Sequence, residues 1–187
     1  TTSKIRKTDD LWGLSTYGFR GEALASIAAV SNLTLSSRIV GEETGARIES
    51  KFGRRGELDR VGHAAGTRVQ VLDLFENVPA RLKFMKTAAG ETGAIRNVLK
   101  AMALARPDLQ MQFFNEGRLD LHYPVAGSRR ERAEQVLGVS PLFEGAAVRD
   151  GVRAYSVMSD PNTTAKTAQN IWIFAQNRWI QDRGLQA

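Results

Sequence analysis

The sequence predicts an α+β fold in which helices cover one face of a mixed or antiparallel sheet. Three patterns indicate this fold. Residues 46–52 (ARIESKF) place alternate side chains on one face, as a half-buried strand does. Residues 92–107 carry an apolar stripe at helical spacing and end at a proline. Two further alternating segments flank Asn115-Glu116-Gly117, a pattern that is typical of a β-hairpin.

The remaining elements follow from the same periodicities and from turn residues. In chain order they are a helix just after Gly21, strands at 33–40, 46–52, 56–63 and 67–75, a helix starting at Pro79, the long helix and the hairpin above, a helix ending at Gly138, and strands around 152–159 and 171–176. Leu24, Ile27 and Ala28 are predicted to form the core face of the first helix. Val69 and Val71 are predicted to point inward from their strand.

Two further predictions concern the long helix and the helix that starts at Pro79. Ile95, Val98, Leu99 and Met102 form the apolar stripe of the long helix, the face expected to cover the sheet. Asn77 lies where it could cap the helix that follows it.

A polar, charged segment, AGSRRER at 126–132, is the predicted boundary between two domains. The first domain would cover residues 1–125 and the second residues 126–187. The chain does not begin with Met, and we therefore expect it to be an internal fragment.

Composition limits the classes of function. The 187 residues are 42% hydrophobic, which favours a folded core over disorder. The absence of cysteine excludes disulfides, iron–sulfur clusters and thiolate zinc sites, and no apolar run approaches the roughly 20 residues that cross a bilayer. His63 and His122 lack the spacing of metal ligands. The net charge of +6 is compatible with a polyanionic partner.

The segment GFRGEALASIAAV, residues 18–30, sets glycines directly before a strong helix former. A helix start offers unpaired N–H groups and the positive end of the helix dipole, which together can bind phosphate. An ordinary loop-to-helix turn is the alternative, in which Glu22 simply favours the dipole from the first turn.

Further motifs surround that segment. TSKI and DDL lie upstream, GTRVQVLDLFENVPARLKFMK lies downstream at 66–86, and ALARPDLQM and SDPNTTA follow in order. Together they resemble the MutL family of DNA mismatch-repair proteins over nearly the whole chain. The resemblance implies a partial two-layer α/β sandwich of the GHKL ATPase type, shared by gyrase, Hsp90 and histidine kinases. It implies that the start of a domain similar to domain 2 of ribosomal protein S5 follows.

The resemblance also implies the residues that bind ATP. They belong to the lid, the glycine loop and the strand threonine that reaches the adenine end, and they are Thr2, Ser3, Lys4, Gly18, Phe19, Arg20, Gly21, Glu22, Ala23, Leu24 and Thr67. The family's catalytic glutamate, magnesium-binding asparagine and adenine-binding aspartate would precede Thr1, and its γ-phosphate-sensing lysine would follow Ala187. No catalytic residue or Mg²⁺ ligand is therefore assigned, and the isolated chain is expected to be inactive.

For the parent protein the resemblance implies ATP-driven homodimerisation, DNA binding with little sequence preference, and recruitment of a mismatch-recognition protein and a downstream nuclease or helicase. It implies a cytoplasmic, nucleoid-associated protein without a membrane segment. The candidate DNA-binding residues are Arg129, Arg130, Arg178 and Arg183. Two alternatives stay open: a catalytically silent DNA- or protein-binding fragment, and, on fold analogy alone, an RNA-binding fragment.

Three finer expectations complete the sequence interpretation. Residues 1–10 are polar, and we expect them to be mobile without nucleotide. For Asn77 and Arg81 we expect a structural role rather than a chemical one. Asn177 replaces the family's turn glycine, and we expect it to keep the left-handed turn, whereas Gln181 replaces a basic residue.

Overall fold

The computed structural model describes residues 21–163, 170–182 and 184. Contacts divide the chain into two compact units, Thr1–Lys86 and Thr87–Ala187. The domain boundary expected near residue 125 concerns the family's two domains and stays a prediction.

The described part of the first unit contains two short helices and one antiparallel sheet. Its elements are α1 (Ala23–Ala28), β1 (Asn32–Arg38), β2 (Gly45–Lys51), β3 (Arg54–Val61), β4 (Gly66–Leu72) and α2 (Pro79–Lys83). The strand order is β3-β2-β1-β4, and every neighbouring pair is antiparallel. The four predicted strands are therefore present, each within a few residues of its expected bounds.

One face of this sheet is apolar because its strands are in register. Leu35 of β1 lies opposite Ile48 of β2 and Val69 of β4, and residues that face each other across strands point to the same side. Val69 and Val71 share this face, but they are 47% and 39% exposed. The prediction that they point into a core is therefore wrong for the described residues.

The first helix explains much of that exposure. It has only six residues and buries none of them, and Leu24 is 49% exposed while Ile27 and Ala28 are half-buried. A helix of this length cannot cover a four-stranded sheet. The expected core face of Leu24, Ile27 and Ala28 is therefore wrong as well.

The described part of the second unit contains two helices and three antiparallel hairpins. Its elements are α3 (Ala88–Ala105), β5 (Met111–Asn115), β6 (Arg118–Tyr123), α4 (Arg129–Leu137), β7 (Phe143–Arg149), β8 (Val152–Met158), β9 (Ile173–Ala175) and β10 (Arg178–Ile180). Ala103, Tyr123 and Val136 form a small buried cluster between α3, β6 and α4.

The long helix packs through small residues. Ala101, Ala103 and Ala105 are its buried residues, and their size permits close approach of the helix to its neighbours. The predicted stripe lies elsewhere on the helix, with Ile95 45% and Val98 51% exposed. The expectation that this stripe covers a sheet is therefore not met within the second unit.

Capping residues account for both ends of α4 and for the start of α3. The Ser128 hydroxyl accepts a hydrogen bond from the Glu131 amide at 3.1 Å, and Gly138 ends α4 in the left-handed conformation with φ 67°. The Thr87 hydroxyl accepts from the Gly90 amide at 3.3 Å, so α3 begins four residues before the predicted start at Thr92.

A buried arginine joins α4 to the end of α3. Arg132 is fully buried, and its Nη2 donates to the carbonyl oxygens of Pro107 at 2.9 Å and Leu109 at 2.6 Å. Its guanidinium lies 6.0 Å from the centre of the Tyr123 ring. Burial lowers the pKa of Arg132. The polar character of residues 126–132 gives no indication of this buried role.

Candidate functional site

The glycine loop leads into α1 through a left-handed residue. Gly21 has φ 68°, Glu22 is the N-cap, and the first intrahelical hydrogen bond runs from the Ser26 amide to the Glu22 carbonyl at 2.9 Å. The preceding amides, from Glu22 to Ala25, have no intrahelical acceptor. Gly21 and the first helical residues are also exposed.

The described residues leave this helix end open. The Glu22 side chain makes no cap hydrogen bond to it, and the first turn contains no acidic residue, because Glu22 lies at the N-cap itself. Glu22 thus lies one position before the first turn in which the sequence placed it, where a carboxylate still interacts favourably with the helix dipole. The first amides of α1 have no acceptor within the helix, and together with the helix dipole they provide a site that suits an anion.

Thr67 lies at the start of β4, next to β1. Its hydroxyl is 2.8 Å from the Ser37 hydroxyl, and Gly66 before it has φ 121° in a place where an added Cβ would meet no atom within 4 Å. Strand β1 connects Thr67 and the helix α1. Thr67 contacts β1 through Ser37, and α1 joins β1 through the short connection at residues 29–31. The structure therefore gives Thr67 a structural partner and leaves its contact with nucleotide a prediction.

Asn77 does not cap the helix that follows it. Val78 is the N-cap of α2 and makes no side-chain cap bond, whereas the Asn77 side-chain amide donates to the carbonyl oxygen of Ala29 at 3.0 Å. The Arg81 guanidinium lies 5.7 Å from the centre of the Phe75 ring. These contacts agree with the structural role that the sequence favoured for Asn77 and Arg81.

The candidate DNA-binding residues fall into different environments. Arg129 and Arg130 are exposed at the start of α4, and the Arg129 guanidinium lies 5.5 Å from the centre of the Tyr155 ring. The Tyr155 hydroxyl donates to the Glu144 carboxylate at 2.5 Å. This hydrogen bond is the main cause of the raised pKa of Tyr155, and burial is the second. Arg178 is half-buried in β10, directly after the turn.

Several predicted site residues lie outside the described part of the chain. They are Thr2, Ser3, Lys4, Gly18, Phe19, Arg20 and Arg183, together with the rest of the 1–10 segment. The turn expectation is confirmed, since Asn177 has φ 63° and follows Gln176 at φ 49°.

Neither a metal cluster nor a membrane helix occurs in the described residues. No group of three or more His, Cys, Asp or Glu side chains is placed to hold a metal ion there. None of the helices in the described ranges combines the length and the apolar character that a membrane span requires.

Comparison with known proteins gives clear relatives, although no protein-family model matches the chain. MutL of Geobacter sulfurreducens is 37% identical over 188 residues, covering 99% of this chain and 31% of that protein. MutL of Anaeromyxobacter dehalogenans is 37% identical over 185 residues, covering 97% of this chain and 30% of that protein. The chain thus spans less than a third of the length of these relatives.

Solved structures agree with the sequence comparison. The MutL ATPase domain of Aquifex aeolicus complexed with ADP aligns with a TM-score of 0.77 at 31% identity, covering 97% of this chain and 69% of that one. A second structure of the Aquifex aeolicus MutL ATPase domain aligns with a TM-score of 0.69 at 29% identity. These matches confirm the α+β fold of the GHKL ATPase type, and together with the glycine loop and the Asn-x-Pro-Ala-Arg segment they establish that this chain belongs to the MutL family.

Proposed function

We propose that this chain is part of a DNA mismatch-repair ATPase, in which ATP binding and hydrolysis drive dimerisation of the N-terminal regions, DNA binding and recruitment of repair partners. Family membership carries the proposal. The partners would be a mismatch-recognition protein and a downstream nuclease or helicase. The protein would act in the cytoplasm, associated with the nucleoid.

The nucleotide site is the start of α1. The amides of Glu22, Ala23 and Leu24 precede the first intrahelical bond, and no described side chain caps them. A phosphate group there would accept hydrogen bonds from these amides and interact favourably with the helix dipole. Gly21, at φ 68°, lets the backbone turn without a side chain between it and the phosphate. The open helix start is the structural observation that supports the proposal.

The other nucleotide contacts rest on the family resemblance. Arg20 would add positive charge beside the phosphates, Thr2, Ser3 and Lys4 would close over ATP as a lid, and Thr67 would face the adenine end. Mg²⁺, when bound, would neutralise phosphate charge. Its ligand is expected outside this chain, so the residues present bind and orient the nucleotide.

We expect the purified chain to show no measurable ATP hydrolysis and only weak ADP binding. The physical reason is that the catalytic glutamate and the magnesium ligand of the family match no residue here, whereas ATP hydrolysis needs both a placed general base and a bound metal ion. Phosphate release by the chain and by the full-length protein would be measured side by side. Robust turnover by the chain alone, removed by Arg20→Glu, would contradict the proposal that catalysis lies outside it.

A second function, DNA binding without catalysis, is favoured by the exposed Arg129 and Arg130 and by the net charge of +6. If these side chains neutralise phosphates, affinity for a DNA duplex should fall steeply between about 50 and 200 mM salt and depend little on sequence. Fluorescence anisotropy with two unrelated duplexes measures both properties.

The variant for this test replaces Arg129 and Arg130 with alanine, and we expect it to bind DNA more weakly and with a smaller salt slope. Arg118→Ala, an exposed arginine at the start of β6, is the matched control. Affinity that does not change with salt, or an equal loss in the control, would rule out a specific role for this pair.

A further inference from the structure

The first helix presents a physical problem. It has six residues, none of them buried, and helices this short are marginal in water. A phosphate site at its start nevertheless needs amides that point in a fixed direction. Some other interaction must therefore hold α1 in place.

The opposite end of the helix supplies it. Consecutive carbonyl oxygens at the end of α1 and in the connection to β1 accept hydrogen bonds from two distant loops. The pairs are Gly53 N to Ala28 O at 2.8 Å, Asn77 Nδ2 to Ala29 O at 3.0 Å, Phe75 N to Val30 O at 2.7 Å, and Phe52 N to Ser31 O at 3.0 Å. We name these donors, Phe52, Gly53, Phe75 and Asn77, the carbonyl clamp.

The backbone of the clamp has an unusual conformation. Phe52 has φ 47° and Phe75 has φ 67°, the left-handed region that bulky residues rarely adopt. In both cases the left-handed residue is the one whose amide donates to the α1 connection. Such backbone persists only where surrounding interactions determine it, and it concentrates at functional sites. The two-residue turn between β2 and β3 itself requires the positive φ of Phe52 and Gly53. The conformation of Phe75 has no such turn to explain it, and it indicates a loop shaped around the end of this helix.

Among the clamp residues, Asn77 alone donates through its side chain, so it can be changed without altering the backbone. We propose that Asn77 is a positioning residue of the nucleotide site. Its amide anchors the carbonyl end of α1, and this fixes the direction of the amides at the start of the helix. The inference rests on the proposed function, because it assigns a role at that same site.

The chemistry indicates which substitution is informative. Asn77→Asp keeps the shape of the side chain but replaces the donor with a carboxylate oxygen facing the Ala29 carbonyl. It also adds negative charge at the negative end of the helix dipole. Asn77→Ala removes the donor without adding charge, and it decides the question if the aspartate variant fails to fold.

The matched control is Asn32→Ala. The Asn32 side chain also ties the same loop, donating to the Asp73 carboxylate at 2.7 Å, and this hydrogen bond does not involve α1. Loss of either asparagine removes one side-chain hydrogen bond from this loop, to a backbone carbonyl for Asn77 and to a carboxylate for Asn32, and the bond to the carboxylate is the stronger kind. A purely structural role for Asn77 predicts the same result for both variants.

Two measurements would be made in the full-length protein: ADP affinity by calorimetry, and hydrogen exchange of the amides at residues 22–29. We expect each Asn77 variant to weaken ADP binding about fivefold and to accelerate exchange in α1 selectively, with the Asn32 variant like the wild type in both. Unchanged affinity and exchange in the Asn77 variants, or an equal loss in the control, would overturn the inference.

The same experiment separates failure of the inference from failure of the proposed function. If the unmodified protein binds no ADP, the proposed function fails. The exchange measurement then still decides the role of Asn77, since selective opening of α1 supports anchoring and uniform or absent change contradicts it.

Discussion

Replacing Gly21 with valine is expected to abolish ATP binding and ATP-driven dimerisation of the full-length protein. Gly21 has φ 68°, which a β-branched residue adopts only with strain, and a side chain there would block the approach of a phosphate to the amides. Arg20→Glu should have the same direction of effect, because it sets negative charge against the triphosphate. Nucleotide affinity and sedimentation with and without ATP measure the two losses.

The helix itself should survive both changes. The sequence predicts that packing by Leu24, Ile27 and Ala28 stabilises it, but the structure leaves that face largely uncovered and holds the opposite end of α1 through the carbonyl clamp. Gly41→Val is the matched control, since Gly41 also has a positive φ, 95°, and a Cβ there meets no atom within 4 Å. Normal ATP binding by the Gly21 variant would exclude the glycine loop as the phosphate site.

Replacing Arg132 with alanine is expected to lower the free energy of unfolding of residues 87–187 by about 3 kcal/mol. The substitution leaves the Leu109 carbonyl oxygen without its Arg132 donor and opens a cavity at a fully buried position. The Pro107 carbonyl oxygen loses one of two donors and keeps the Ala126 amide at 2.9 Å. Arg132→Met should cost less, because it fills most of the space. Denaturant unfolding followed by hydrogen exchange in α3 and α4 measures the change.

Arg130→Ala is the control for this experiment, because it removes an exposed arginine from the same helix. We expect that change to stay within about 0.5 kcal/mol of the wild type. A similarly small effect of Arg132→Ala would mean that the buried guanidinium does not hold α4 against the end of α3.

Local patterns are sufficient to predict most of the elements. The four strands of the first sheet and the hairpin at Asn115–Gly117 follow from period-2 alternation and turn residues, both of which depend on neighbours in sequence. The end of α4 at Gly138 is a similar case, because glycine readily adopts the left-handed conformation found there. The strand β7 is absent from the sequence prediction because Gly145, Ala146 and Ala147 give no alternation.

Burial is harder to predict than secondary structure. The alanines that α3 buries carry little hydropathy signal, whereas its conspicuous Ile95 and Val98 remain exposed. Arg132 has the character of a surface residue. The carbonyl oxygens of Pro107 and Leu109, more than twenty residues away in sequence, accept its hydrogen bonds and so favour its burial. Such contacts have no local signature in the chain.

The candidate site shows the same division. The glycine before α1 and the open helix start follow from the sequence, since both are properties of adjacent residues. The anchoring of that helix does not, because Asn77 meets Ala29 across 48 positions and Phe75 adopts a conformation that its residue type disfavours. The resemblance to a family identified the segment around Asn77 without saying what its side chain contacts.

The most direct test of the central proposal is the change in backbone amide signals of the full-length protein when ADP is added. We predict that the amides of residues 21–25 shift and become protected from exchange, and that Gly21→Val removes these changes while Gly41→Val keeps them. ADP binding that leaves residues 21–25 unaffected would contradict the proposal that the start of α1 binds the phosphates.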